Sequence, residues 1–550
     1  RDQRIHAIAG TGGKPAVLTP VGPYRYADGD LDMSRRRLIA VREDHSDGGE
    51  PANDLVAIGF EGDGKVERLT GGCDFYAAPR ISPDGSRLAW ICWNHPAMPW
   101  TETQLWLADI GPDGTLHAPR RIAGGSGDGE AVMLPRWSPD GGLFFVTDRS
   151  NWWNLNRLYG AEAESVVERA AEFGHPAWQL GNSSYDFLPG DRLVCTFTEQ
   201  GEWRAALVDL KNGSLEILDL PFTSYRAVYA SGGDIVTIAG SPKEPEALVR
   251  INPGTGRTEV VRPSFDVAEP LARYFSVPRA IEFPTGTGGS AHAFHYAPAN
   301  PDFAAPAGEK PPLIVMSHGG PTSAASSVLS LQRQFWTSRG FAVVDVNYRG
   351  STGYGRDYRF ALEEQWGIAD VEDCIAAARH LGEHGDADPL RIGITGGSAG
   401  GYTTLCALTF TDFFTTGASH YGIGDLELLA QGTHKFESRY LDWLIGRYPE
   451  EEARYKARSP VNHVEKLNRP VAFFQGAEDK VVPPDQAEAM VAALRANGNP
   501  VLFILFEDEQ HGFRKGANIK RALDAELLFF SVWLSGRELR FSGVEQGQRG

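Results

Sequence analysis

At 550 residues the chain exceeds one ordinary domain, so we expect two large domains, and a hydrophobic content of 42% supports substantial cores. Its formal net charge of −18 disfavours nucleic acid and anionic membranes as partners, and no stretch approaches the roughly 18 consecutive apolar residues of a membrane span. Five scattered cysteines argue against a disulfide framework or a zinc site, so we expect a cytoplasmic protein without metal or cofactor.

Short strand-like runs recur through the first half of the chain at intervals of roughly 45 residues, the spacing of propeller blades. Five of these units contain a tight-turn sequence between two strands, at residues 32–34, 81–85, 137–141, 187–191 and 231–234. Sheets of this kind cannot bury their faces alone and must stack radially. We therefore predict a β-propeller over residues 1–272.

The start of the propeller resembles the end of a blade. Residues 4–20 look like the last strands of a blade whose first strands would precede residue 1. We therefore expect a propeller truncated at its N-terminus. The loops after the second strand of each unit should emerge together on one face. Several pair a charge with an aromatic residue, which suits a rim that faces substrate but also suits ordinary loop tips.

From residue 273 onward, strands alternate with helix-length amphipathic runs, such as residues 371–381, 485–496 and 522–534. This alternation is typical of a mostly parallel sheet with helices on its faces. We predict a doubly wound α/β-hydrolase domain over residues 273–550.

A glycine loop follows the first buried strand of this domain. Residues 313–317 lead into His-Gly-Gly-Pro at 318–321, which is similar to the loop that supplies a backbone N–H to the oxyanion in lipases and esterases. The N–H groups of Gly320 and Ala399 would then form the oxyanion hole, unless the loop is a simple structural turn.

Ser398 is the predicted nucleophile. It lies in Gly-Gly-Ser-Ala-Gly, residues 396–400, between a strand-like run and a helix-like run. A serine on such a sharp turn needs small neighbours because the backbone is strained and closely packed. The five-residue pattern alone is weak, since a glycine-rich turn before a helix is often only structural.

Two further residues complete a triad in the order nucleophile, acid, histidine. Asp479 follows the strand-like residues 471–475, and His511 lies on a loop after the strand-like residues 501–506. A loop aspartate often caps a helix and a lone histidine is often solvated. Three such residues at strand ends in this order nevertheless predict a serine hydrolase.

Together these sequences resemble the prolyl oligopeptidase family of serine peptidases over almost the whole chain. The most specific pieces are residues 318–321, 347–355, 396–402, 478–483 and 510–513. Residues 93–100 and 433–440 place the resemblance nearest the acylaminoacyl peptidase and aminopeptidase branch, which includes enzymes similar to puromycin hydrolase. The resemblance implies an acyl-enzyme mechanism on short peptides or aminoacyl amides, with the propeller screening access to the site.

An aminopeptidase must also recognise a free α-amino group. Glu437 is the first candidate, with Glu43 and Glu102 as weaker ones and Tyr348 as a further substrate-binding candidate; alternatively, Glu437 is a solvated charge paired with Arg439 or Lys435. Acylaminoacyl peptidase, dipeptidyl peptidase, esterase and inactive scaffold remain alternative functions. A homo-oligomer is also allowed.

Overall fold

Five four-stranded antiparallel sheets and one two-stranded sheet form the first half of the computed structural model, which describes residues 2–535 except 9, 11, 63, 126, 128, 161 and 287. The strands are β1 (His6–Ala7), β2 (Ala16–Val17), β3 (Tyr24–Asp32), β4 (Arg37–Asp44), β5 (Ala52–Gly59), β6 (Val66–Gly71), β7 (Phe75–Ile81), β8 (Arg87–Trp93), β9 (Gln104–Ile110), β10 (Leu116–Gly124), β11 (Val132–Trp137), β12 (Leu143–Thr147), β13 (Asn154–Tyr159), β14 (Glu162–Ser165), β15 (Tyr185–Leu188), β16 (Arg192–Glu199), β17 (Glu202–Asp209), β18 (Leu215–Ile217), β19 (Ser224–Ser231), β20 (Asp234–Gly240), β21 (Ala247–Ile251) and β22 (Thr258–Pro263). Each set of four consecutive strands from β3 onward makes one blade.

The predicted turn sequences join the first and second strands of the blades. Between β7 and β8, the Ser82 hydroxyl donates to Asp84 (2.6 Å) and accepts from the backbone N–H of Arg87 (2.9 Å). Gly85 has φ +71°, a conformation that glycine adopts without steric cost. Because these bonds are local, the turns could be predicted from the sequence.

The loops after the second strands of the blades face the second half of the chain. The Asn151 side chain accepts from the backbone N–H of Asp357 (2.8 Å), and the backbone carbonyl of Ser241 accepts from the N–H of Leu329 (2.9 Å). The prediction that these loops share one face is therefore confirmed for these two, and the face is an interdomain surface.

An eight-stranded sheet organises the second half. Its strands lie in the order β23-β24-β26-β25-β27-β28-β29-β30, and every pair from β26 to β30 is parallel. They are β23 (Arg279–Pro284), β24 (Ser290–Tyr296), β25 (Leu313–Ser317), β26 (Ala342–Asn347), β27 (Ile392–Gly397), β28 (Thr416–His420), β29 (Val471–Gly476) and β30 (Val501–Phe506). The β-propeller followed by a mostly parallel α/β-hydrolase sheet confirms the predicted fold class.

Helices cover both faces of this sheet. They are α1 (Glu269–Ala272), α2 (Leu331–Thr337), α3 (Arg356–Phe360), α4 (Ala369–Glu383), α5 (Ala399–Phe410), α6 (Leu426–Gly432), α7 (Tyr440–Leu444), α8 (Glu452–Arg458), α9 (Asp485–Ala496) and α10 (Gly516–Trp533), with 3-10 turns at Lys435–Glu437 and Pro460–His463. Alternate residues of β25 enter different cores, because successive strand side chains point to opposite faces. The predicted boundary after residue 272 coincides with the end of α1 and stays a proposal.

A fully buried charge cluster joins the two domains. The guanidinium of Arg359 in α3 donates to the carboxylates of Asp148 (2.5 Å) and Glu172 (3.3 Å) in the propeller, and all three side chains are 0% exposed. Burial raises the pKa of Asp148 and of Glu172. Glu172 also accepts from the backbone N–H groups of Gly353 and Gly355, so the cluster fixes the loop before α3.

Two of the five cysteines lie next to each other in the structure. Cys73 and Cys92 are free thiols whose sulfur atoms lie 2.8 Å apart, although the two residues are 19 positions apart in the sequence. Cys73 precedes β7 and Cys92 lies in β8, and the antiparallel pairing of these two strands brings the residues together. The sequence did not show this proximity. Within the described residues, no helix has the length and apolar character needed to cross a membrane, and no cluster of three potential metal ligands occurs.

Candidate active site

Ser398 occupies the sharp turn between β27 and α5. Its φ of +56° and ψ of −121° lie outside the regions that side-chain-bearing residues favour. The neighbouring glycines permit this turn: a Cβ on Gly400 would lie 2.0 Å from the carbonyl oxygen of Ser317, and one on Gly396 would lie 2.3 Å from that of Gly400. The structure therefore has the strand-turn-helix context that a nucleophile elbow requires.

His511 lies between Ser398 and Asp479. Its Nε2 is 2.9 Å from Ser398 Oγ, and its Nδ1 is 2.8 Å from Asp479 Oδ2. Asp479 is buried, and its other oxygen accepts from the backbone N–H groups of Val481 and Val482, each at 2.9 Å. Because the carboxylate binds the Nδ1 proton, Nε2 is left to accept the hydroxyl proton of Ser398.

Gly320 and Ala399 line the cavity beside Ser398. Ala399 is the first residue of α5, so its N–H has no acceptor within the helix and is available to a ligand. The glycine loop is held in place from the propeller, since the Trp178 indole N–H donates to the carbonyl oxygen of Thr322 (2.7 Å). Gly320 and Ala399 thus lie on the same cavity as Ser398, and their role as oxyanion donors stays a prediction.

Replacing Gly320 with alanine tests that assignment. Gly320 has φ +123°, and an added Cβ would lie 2.9 Å from the backbone nitrogen of Thr322, so the loop must shift. Loss of one oxyanion donor typically lowers kcat by about 10²–10³-fold, and we expect Gly320→Ala to lower kcat to that extent with a small change in KM. Steady-state kinetics measures this effect.

Gly308→Ala is the matched control, because Gly308 also has a positive φ but has open space around its Cβ position. An equal loss of kcat in both variants would attribute the effect to backbone strain and remove Gly320 from the oxyanion hole.

Tyr348 lies behind the glycine loop and does not reach the cavity, which corrects its prediction as a substrate-binding residue. The side chain is 0% exposed, its hydroxyl donates to the carbonyl oxygen of His318 (2.9 Å), and its ring stacks on that histidine. Burial raises its pKa well above the usual value. Tyr348 supports the loop that carries Gly320, because a buried hydroxyl must find an acceptor and the loop carbonyls supply it.

The cavity beside Ser398 has a volume of about 980 Å³ and lies between the domains. Its apolar wall comes from the hydrolase domain and includes Trp366, Ile423, Leu429, Leu441, Leu444 and Val482. Trp178 and Gln179 line it from the propeller side. A substrate acyl group therefore meets an apolar wall on one side and the triad on the other.

Glu437 brings a carboxylate into this cavity. Its side chain is 24% exposed, and the basic side chain within ion-pair distance of it is that of His434, with Nε2 3.9 Å from Glu437 Oε2. Burial raises the pKa of Glu437, while His434 and His511 lower it. The alternative pairing with Lys435 or Arg439 is not formed, because Lys435 binds the propeller and Arg439 donates to the carbonyl of Ser438.

Neither of the two weaker acidic candidates lines the cavity beside Ser398, although Glu43 lines a second cavity that shares Trp178, Gln179 and His434 with it. Glu43 lines a second cavity of about 520 Å³, with Oε2 3.1 Å from His45 Nε2. Glu102 lines neither this cavity nor the one beside Ser398. This corrects their assignment to the site beside Ser398. Their positions in the sequence did not determine which parts of the blades lie near the nucleophile.

Sequence reasoning missed Trp178. It lies in the long connection between β14 and β15, which has no periodic pattern, so no local signal marked it. Its contact with Thr322 joins residues 144 positions apart. Only the docking of the two domains reveals that a propeller tryptophan supports the glycine loop.

The propeller-capped α/β-hydrolase fold and the serine, histidine and aspartate at its strand ends define a class of serine hydrolase. Residues 327–537 match the prolyl oligopeptidase family model. The crystal structure of puromycin hydrolase is similar with a TM-score of 0.92 at 37% identity, covering 98% of this chain and 83% of that one. A puromycin-hydrolyzing peptidase of Mycobacterium tuberculosis is similar with a TM-score of 0.92 at 41% identity, covering 98% and 84%. The chain belongs to the prolyl oligopeptidase family, as its motifs predicted.

The curated relatives match over part of the chain. Dipeptidyl aminopeptidase BIII of Pseudoxanthomonas mexicana is 34% identical over 232 residues, which are 41% of this chain and 34% of that protein. The match thus spans about a third of the length of this relative.

Proposed function

We propose that the protein is a serine peptidase that acts as an aminopeptidase on short peptides and small aminoacyl amides. The observation that carries the proposal is the Glu437 carboxylate, which faces the same cavity as Ser398 and His511 without being part of the triad. A free α-amino group is one carbon atom away from the acyl carbon of such a substrate. A carboxylate beside the nucleophile can therefore bind the ammonium while the carbonyl meets Ser398.

The reaction follows from the geometry of the triad. Ser398 Oγ attacks the carbonyl carbon and its proton passes to His511 Nε2, which is 2.9 Å away. The N–H groups of Gly320 and Ala399 stabilise the oxyanion. The C–N bond then breaks, and the leaving amine takes the proton from His511. In the second stage His511 accepts a proton from water as the water attacks the acyl-enzyme, and it returns this proton to Ser398 Oγ when the ester bond breaks.

Two features support small substrates. The cavity lies between the domains, and Trp178 and Gln179 line it from the propeller side, so a large folded protein has poor access to Ser398. The similar solved structures include a puromycin hydrolase and a puromycin-hydrolyzing peptidase, whose names describe action on a small molecule. The free state of the cysteines supports the cytoplasmic location that we also propose.

Glu437→Gln tests the amine site. Removing the negative charge while keeping the shape is expected to raise KM for an aminoacyl arylamide by about tenfold, equivalent to about 1.4 kcal/mol of lost binding, because the charge-assisted bond to the ammonium is lost. KM for the matched N-acetyl-aminoacyl arylamide is expected to change less than about twofold. Glu488→Gln, at an exposed glutamate of α9 that lines neither cavity, is the matched control. Equal changes in KM for both substrates would reject the amine site.

The wild-type substrate panel separates the alternative activities. Aminoacyl, N-acetyl-aminoacyl and dipeptidyl arylamides are compared with a matched ester, with Ser398→Ala as the background. Fast release only from free aminoacyl compounds supports the proposal, whereas preference for the acetylated or dipeptidyl series would assign an acylaminoacyl peptidase or a dipeptidyl peptidase. Turnover of the ester alone would assign an esterase, and absence of fluorophosphonate labelling at Ser398 would indicate an inactive scaffold.

A further inference from the structure

Lys435 fastens the hydrolase domain to the propeller two residues before Glu437. Its ammonium donates to the carbonyl oxygens of Pro51 (2.7 Å) and Asp74 (2.6 Å) and to the side chain of Asn53 (3.1 Å). An ammonium has three protons to donate, and here all three acceptors belong to the propeller. The ammonium also lies 4.6 Å from the centre of the Phe75 ring, a favourable cation–π position.

Phe436 inserts into the same surface. Its ring makes edge or tilted contacts with Phe75, Trp100 and Trp178, with ring centres 5.9 to 6.2 Å apart. These three partners come from the propeller, so consecutive residues of the hydrolase domain contribute a charged and an aromatic anchor. Glu437, the next residue, faces the cavity beside Ser398.

The connection from the anchors to Glu437 is short and hydrogen-bonded. The N–H of Glu437 donates to the carbonyl of His434 (3.0 Å), and the N–H of Ser438 donates to the carbonyl of Lys435 (3.2 Å), which closes a 3-10 turn. Displacement of Lys435 from the propeller must therefore move Glu437 as well.

Beyond this turn, the segment contacts the glycine loop. The Tyr440 hydroxyl accepts from the backbone N–H of Thr322 (3.2 Å), two residues after Gly320. Residues 435–440 thus touch the propeller, the cavity and the glycine loop in turn.

We propose that Lys435 is a positioning residue that holds the Glu437 carboxylate at the amine site by tying its 3-10 turn to the propeller. This inference rests on the proposed role of Glu437. By linkage, binding of a substrate ammonium at Glu437 and docking of Lys435 on the propeller favour each other. Recognition of the substrate amine thereby depends on the propeller.

Lys435→Met is the test variant, because methionine preserves an unbranched apolar side chain against Phe75 and removes only the ammonium. We expect KM for the aminoacyl arylamide to rise about tenfold and KM for the N-acetyl compound to change less than about twofold, the same selectivity as for Glu437→Gln. Lys435→Arg, which keeps the charge, is expected to recover part of the loss. Lys466→Met is the matched control, since Lys466 also lies over a ring, that of Phe410, on an exposed surface of the hydrolase domain.

The double variant Lys435→Met with Glu437→Gln distinguishes positioning from general damage. If Lys435 acts through Glu437, the double variant has nearly the same KM as Glu437→Gln alone, because the two effects are not additive. Additive effects, or an equal rise in KM for both substrates, would overturn the proposal and leave Lys435 as a structural interdomain contact. If Glu437→Gln itself shows no selectivity, the aminopeptidase proposal fails instead, so the two failures are distinguishable.

Discussion

Ser398→Ala is expected to lower kcat for an aminoacyl arylamide by about 10⁶-fold, the scale measured when the nucleophile of a serine-protease triad is removed. The structure supplies the reason. His511 Nε2 lies 2.9 Å from Ser398 Oγ, and without that oxygen no acyl-enzyme forms and the base has no hydroxyl proton to accept. The residual activity comes from the oxyanion donors and the cavity alone. Single-turnover kinetics and loss of fluorophosphonate labelling measure the effect.

The triad should also behave as a unit. The double variant Ser398→Ala with His511→Ala is expected to be no slower than either single variant, and Asp479→Asn is expected to cost about 10⁴-fold by favouring the wrong histidine tautomer. Ser264→Ala, at an exposed propeller serine, is the control. Substantial turnover by pure Ser398→Ala protein would show that another nucleophile performs the reaction.

Arg359→Met is expected to produce the largest loss of stability among single substitutions at the domain interface. Removing the guanidinium leaves Asp148 and Glu172 buried without their cation, and breaking a buried ion pair in this way typically costs about 3–5 kcal/mol. Thermal denaturation should therefore begin at a markedly lower temperature. Arg226→Met is the control, because the Arg226–Glu246 pair is partly exposed and such pairs contribute at most about 1 kcal/mol.

The stability deficit of Arg359→Met should depend on pH. Burial raises the pKa of Asp148 and of Glu172 in the folded protein above their usual values of 3.8 and 4.5, and loss of Arg359 removes the charge that opposes this rise. A carboxyl group whose pKa is raised in the folded state adds to the free energy of unfolding. This contribution is fully present below the usual pKa and is lost as pH rises through the raised pKa. The difference between variant and wild type should thus be smaller at pH 5 than at pH 8. A deficit that is the same at both pH values would contradict this account.

Much of the candidate site was predictable because its determinants are local. The elbow at Ser398 requires glycines at fixed offsets, and the strands before Gly320, Asp479 and His511 are short apolar runs that end at a polar loop. The helix at Asp485–Ala496 and the strand at Val501–Phe506 have the predicted bounds for the same reason. Parallel strands then place these loops at one edge of the sheet.

The wrong predictions concern residues whose direction depends on distant contacts. Tyr348 follows a strand end, as the triad residues do, but its hydroxyl turns to the carbonyl of His318 behind the loop. Glu43 lies near the end of β4 and Glu102 on a blade loop, yet neither lines the cavity beside Ser398. Loop sequence does not specify which way a side chain points once two domains meet.

The sequence alone determined the two-domain architecture, the family and the triad candidates. It could do so because hydrophobic periodicity, turn residues and the glycines of the elbow are signals carried by residues close together in the chain. The tertiary structure alone decided that Arg359 is buried between Asp148 and Glu172, that Trp178 supports the glycine loop, and that Lys435 anchors the turn bearing Glu437. These contacts join residues between 144 and 384 positions apart, and their geometry exists only after the propeller and the hydrolase domain pack against each other.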